Sequence, residues 1–124
     1  MFNLINYLRR QKRFSLRTFG PGKRTKGVTN HIRKELIEIE ENPHDLKEWI
    51  DAVTLALDGA WRAGYSPEEI VSQLEATLAR NEKRKWPSWK DVSQDDAIEH
   101  VRLEEPQADQ GHEDEGQGAG DRAD

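Results

Sequence analysis

The sequence predicts an all-α fold, and three observations carry that expectation. No stretch sustains the apolar and polar alternation of a strand. Apolar residues instead recur three and four positions apart, and the breaks between these runs hold helix-start chemistry, Asn42-Pro43 in one and Ser66-Pro67-Glu68-Glu69 in the other.

Taken in order, Phe2, Ile5 and Leu8 line one face of a short basic helix at the N-terminus. The stretch RFSLRTFGPGKRTKG then reads as an interruption, with Gly20, Pro21, Gly22 and Gly27 making a loop. A second helix is expected from about Thr29, with Val28, Ile32, Leu36 and Ile39 at core spacing, ending near Glu41. Asn42 suits an N-cap, Pro43 the first helical position and Asp45 the third, so a third helix follows almost at once and the two form an antiparallel hairpin. This helix runs to Gly64. Ser66 as cap, Pro67 at the first position and Glu69 at the third then start a fourth helix, which Ile70, Leu74 and Leu78 carry inward until the basic RNEKRKWP. A weak last helix follows Ser93, through Ala97, Ile98 and Val101.

The chain has 124 residues, 34% hydrophobic against 35% charged, which leaves a thin core for a monomer and favours oligomerisation. Residues 1–103 read as one domain. From residue 104 onward the chain has Gly, Gln and acid but no aromatic or branched aliphatic side chain, so residues 104–124 read as a disordered acidic tail. With no cysteine, disulfides, thiolate metal sites and cysteine nucleophiles are all excluded. The opening MFNLINYLRR fits neither a signal peptide nor a membrane span, and a cytoplasmic protein is expected. The net charge of -5 hides an asymmetry: residues 1–34 hold ten Lys or Arg and no acid. Such a block either neutralises phosphates or pairs with the acidic half of the chain.

The hairpin carries the most informative residues. Glu35 and Glu38 lie three apart on its first arm, and Glu48 and Asp51 lie three apart on its second. On a helical wheel Leu46, Trp49, Ile50, Val53, Ala56, Leu57, Ala60 and Trp61 cover about half of the third helix, and opposite them runs a narrow stripe of Glu48, Asp51, Leu55, Asp58 and Arg62. A leucine among charges suggests that the stripe faces a pocket or a partner. With the hinge at residues 41–42, the two acid pairs stand at matched levels and four carboxylates can converge. Clustered carboxylates repel unless a cation offsets them, and hard oxygen donors suit Mg²⁺ or Mn²⁺. Acid pairs at this spacing are also common on solvated faces of acid-rich helices.

ELIE followed by EWID is similar to the ExxE…ExxD signature of the MazG-like all-α nucleoside triphosphate pyrophosphohydrolases. Lys34 stands where that motif usually has its leading acid, and nine residues separate Glu38 from Glu48, fewer than is typical. Over residues 14–90 the chain more closely resembles the MazZ-type dATP/dGTP pyrophosphohydrolases found largely in phages and bacteria, through TFGPGKRTKGVTNHIRKELIEI, PHDLKEWIDAVTLALDGAWRAG and RNEKRKWPSW. The resemblance implies a MazG-like helical bundle assembled as a homodimer or homotetramer, with two or three Mg²⁺ or Mn²⁺ ions held by Glu35, Glu38, Glu48 and Asp51. It further implies attack by activated water on the α-phosphorus of dGTP or dATP, yielding monophosphate and pyrophosphate in purine deoxynucleotide metabolism.

Asn81 and Arg84 fit the N-x-x-R-x-W-P of the resembling family and are candidate substrate ligands, together with Lys83, although cations at a helix C-terminus are favoured by the dipole alone. Trp86 is a candidate stacking partner for a base or a packing residue. Arg24, with Lys23, can reach a phosphate from the glycine loop, which is not a Walker A loop. His31 lies on the acid stripe, either touching substrate or pairing with Glu35 four residues on. The competing reading is a non-enzymatic helical protein whose basic first third contacts nucleic acid or a partner. Four clustered carboxylates give a duplex-binding surface nothing, so no specific nucleic-acid partner is expected.

Overall fold

The computed structural model describes residues 1–102, and the tail expected over residues 104–124 lies outside them. Four helices, α1 (Leu4–Phe19), α2 (Thr25–Glu41), α3 (Leu46–Arg62) and α4 (Pro67–Lys83), precede a 3₁₀ turn at Trp89–Asp91, and there is no strand among the described residues. None of these helices is long and apolar enough to cross a membrane.

The first helix is twice as long as its apolar spacing indicates. It starts at Asn3, whose side chain accepts from Asn6 N at 3.0 Å, and continues through the stretch expected to be loop, ending only at Gly20 with φ of 88°. Arginine, lysine, leucine and glutamine are all good helix formers, so RRQKRFSLR extends the helix without an apolar stripe. The loop shrinks to residues 20–24, and α2 starts four residues earlier than expected, after Arg24 in the left-handed region.

The hinge also differs. Asp45, not Asn42, caps α3, accepting from Lys47 N at 3.0 Å, while Asp45 N donates to Asn42 O to close a turn. Asn and Asp cap equally well, so local preference does not choose between them. Trp49 Nε1 donates to Pro43 O at 3.0 Å and ties the turn to the first coil of α3. The capping box of α4 forms as read, with Ser66 and Glu69 bonded reciprocally. Beyond it the expected helix after Ser93 is absent: Ser93 holds only a turn, and Val101 N donates to Lys85 O at 2.7 Å, folding the segment back along the end of α4.

Among the helices, α2 packs on α3 alone, whereas α1 packs on α4 and α3. Leu8, Trp61 and Ile70 centre the core, with Leu4, Tyr7, Leu57, Ala60, Tyr65 and Val71 around them. The inward face of α3 is not the apolar one at its N-terminal half. Leu46, Trp49, Ile50 and Val53 face outward, Trp49 with 50% of its surface exposed, while Asp58 and Arg62 are buried. Leu36, Leu74 and Leu78, expected in the core, are also exposed. In this half of α3 the neighbouring helices lie against the charged side, so Leu46, Trp49, Ile50 and Val53 are left without a partner inside one chain, whereas Leu57, Ala60 and Trp61 further along join the core.

Candidate active site

Between α1 and α2, with α3 as floor, lies a cleft of about 910 Å³. Glu35 on α2 and Asp51 on α3 line one side of it. Glu35 and Glu38 stand one turn apart on α2, beside Glu48 on α3, and one carboxylate oxygen from each lies within 4.8 Å of the others. Glu35 is only 6% exposed, and its Oε2, like Glu48 Oε2, is buried with no hydrogen-bond donor in reach. Two ionised carboxylates cannot bond to each other, but they can share one proton. A shared proton with Glu38, followed by burial and the charges of Glu38, Asp51 and Glu48, pushes the Glu35 carboxyl up to about 7. Three oxygen donors converging with unspent lone pairs are what a hard divalent cation takes.

Asp51 also lines the cleft, but its Oδ2 accepts from Lys47 Nζ at 3.0 Å and it stands outside the trio. That hydrogen bond, with the charges of Asp51 and Glu48, raises Lys47 above the ordinary lysine value. His31 Nε2 lies 3.5 Å from Glu35 Oε1, so the pairing read from the sequence is present and His31 also lines the cleft. Arg24 lines it too, its guanidinium 5.8 Å from the Phe19 ring. Asn81, Lys83, Arg84 and Trp86 do not line it. Arg84 Nη1 donates to Asn81 Oδ1 at 3.0 Å and Trp86 Nε1 to Asn81 O at 2.8 Å, so Asn81, Arg84 and Trp86 bond to one another at the end of α4.

The side facing the acids was missed in the sequence beyond its overall charge. Tyr7, Arg10, Phe14 and Arg17 recur three and four apart along α1 and line the cleft, with Arg13 beside them. Gln11 is fixed there by Nε2 donating to Thr54 O at 2.8 Å, and its Oε1 is buried without a partner. The signal was available: a helix carried to Gly20 would have put Phe14 and Arg17 on the face of Tyr7 and Arg10.

Arg62 holds this architecture together. Its Nε donates to Asp58 Oδ2 at 2.8 Å, Nη1 to Gly20 O at 2.9 Å and Gly22 O at 2.8 Å, and Nη2 to Ser15 Oγ at 2.8 Å. One buried guanidinium on α3 thus fixes the end of α1 and the turn into α2, which sets the two sides of the cleft.

The family model for dATP/dGTP pyrophosphohydrolase matches residues 7–105. This chain belongs to that family. It is accordingly a hydrolase that acts on nucleoside triphosphates, and the resemblance read from residues 14–90 extends over nearly the whole of α1. Neither the curated proteins nor the solved structures include a match. Arginines along one side of a cleft are chemically apt for the negative charge of a triphosphate.

Proposed function

We propose that the chain hydrolyses dGTP, dATP or both to the monophosphate and pyrophosphate in this cleft, with Mg²⁺ or Mn²⁺ held by Glu35, Glu38, Glu48 and Asp51. The supporting observation is the acid trio with its two orphaned buried oxygens, one member of which, Glu35, lines the same cleft as Asp51, Arg10, Arg13 and Arg17. Bound there, hard cations make water acidic enough to serve as a nucleophile at neutral pH and offset charge on the phosphates. The protein's own groups do the rest. To hold such cations Glu35 and Glu38 would release the proton they share, and Asp51 would part from Lys47 at little cost, because a partly exposed i,i+4 pair contributes little. Arg10 and Arg13 of α1 offer planar forks to the phosphate oxygens and hold the chain of phosphates in line. His31 orients Glu35 from outside.

Product analysis tests this reading. With Mg²⁺ or Mn²⁺ present, dGTP or dATP should give monophosphate and pyrophosphate in one step, and EDTA should stop it. Diphosphate and inorganic phosphate as first products, or indifference to EDTA, would refute it.

The functional unit in this reading is a homodimer or homotetramer. Leu46, Trp49, Ile50 and Val53 on α3, with Leu74 and Leu78 on α4, form more unburied apolar surface than a small monomer ordinarily keeps. Asn81, Lys83, Arg84 and Trp86 stand outside the cleft of their own chain, so their role as substrate ligands requires a second copy to carry them to it. Sedimentation at micromolar concentration should give a dimer or larger, and a monomer would overturn the assembly.

A further inference from the structure

Where the base of the triphosphate sits is not given by the acid cluster, which serves only the phosphates and metal. The other end of the cleft offers an uncommon surface. Phe14 and Phe19, on the last two turns of α1, lie edge to face with ring centroids 6.1 Å apart, and both line the cleft. Neither is covered by the fold, with 48% and 50% of their surfaces exposed. A guanidinium attends each ring, Arg17 at 5.6 Å from the centroid of Phe14 and Arg24 at 5.8 Å from that of Phe19.

We propose that Phe14 and Phe19 form the seat of the purine base, with Arg17 and Arg24 as its polar rim. The inference rests on the reading of the cleft as the triphosphate site. Stacking on an aromatic ring accepts any base with a π face, and because the two rings stand nearly perpendicular, a base stacked on one meets the edge of the other, a corner that a bicyclic purine fills better than a pyrimidine does. Adenine and guanine share the N7 acceptor, so a rim guanidinium can donate one hydrogen bond to either; guanine adds O6 as a second acceptor where adenine has its N6 donor, so a two-pronged contact favours guanine. The platform is also fixed in advance. Arg62 bonds to Gly20 O and Gly22 O on one flank and to Ser15 on the other, so Phe19 lies between two anchored positions and little ordering remains to be done on binding. Trp86, the stacking residue read from the sequence, lies outside the cleft of its own chain, so it reaches a base there only from a second copy.

The experiment compares Phe14→Ala, Phe19→Ala, Phe14→Leu and Phe14→Trp with the wild type, using dATP and dGTP as substrates and inorganic tripolyphosphate as a baseless competitive inhibitor. Because both rings are half-exposed, the variants should melt within a few degrees of the wild type. The alanine variants should raise KM for both purine substrates about 10- to 100-fold, with kcat changed only a few-fold and the tripolyphosphate inhibition constant unmoved. Phe14→Leu should be intermediate, and Phe14→Trp should restore KM. An active wild type whose KM is unmoved by both alanine changes would overturn the base seat alone. A parallel rise in KM and in the tripolyphosphate constant, or a change of oligomeric state in its place, would overturn it as well, since the rings would then serve the phosphates or an interface. A wild type that hydrolyses neither triphosphate would overturn the reading of the cleft and the seat with it.

Discussion

Glu38→Gln and Asp51→Asn should each abolish turnover, lowering kcat/KM on the order of 10³-fold, while the protein keeps its helical content. Loss of one carboxylate from a divalent site removes several kcal/mol of transition-state charge stabilisation, and about 1.4 kcal/mol is one decade of rate. Metal-free stability should move the other way. Glu35 has its carboxyl raised from 4.5 to about 7, with the hydrogen bond to Glu38 as the largest cause. Between those values the folded state binds more protons than the unfolded one, so stability falls as pH rises through that window and levels off above it. In EDTA, the wild-type melting temperature should therefore decline from about pH 5 to about pH 8, and Glu38→Gln should flatten the decline. Adding Mn²⁺ at the upper pH should restore the wild-type melting temperature and leave Glu38→Gln unmoved. Near-wild-type activity in both variants, or a wild-type melting curve that rises with pH in EDTA, would return the acids to an ordinary solvated cluster.

Arg62→Met should be the most destabilising single change in the helical domain, costing about 3–5 kcal/mol. Methionine fills most of the volume but leaves Asp58 buried without its partner and Gly20 O, Gly22 O and Ser15 Oγ without their donor. The loss reaches the site as well, because those contacts hold α1 in place across from α2, which packs on α3 and on no other helix. Arg62→Lys should recover only part of the stability, since one ammonium cannot reach four acceptors spread across a planar fork. Urea unfolding of both variants measures this. A loss below about 1 kcal/mol for Arg62→Met would show that the carbonyls find water instead and that the anchor is dispensable.

The local elements were legible in the sequence wherever one residue type had one physical use. Ser66 and Glu69 met as a capping box because each satisfies an orphan donor of the other, and Gly64, with φ of 112°, ended α3 because that backbone region is open to glycine at no cost. The pairing of Glu35 and Glu38 with Glu48 was legible too, since a short hinge and a fixed rise per residue determine which turns of two antiparallel helices stand level. What the sequence could not decide was orientation. A stripe that is half apolar and half charged can turn either side inward, and in α3 the charged side turned in because Arg62 and Asp58 satisfy each other and because α1 and α2 both bring polar groups to it. The length of α1 depended on the same packing. Helix propensity permits RRQKRFSLR to be helical without requiring it, and Arg62, forty-seven residues from Ser15 along the chain, anchors that end of α1 through its hydrogen bond to Ser15. The arginine and phenylalanine side of the cleft follows from that long-range contact, and no local pattern in the first twenty residues could have placed it opposite the acids.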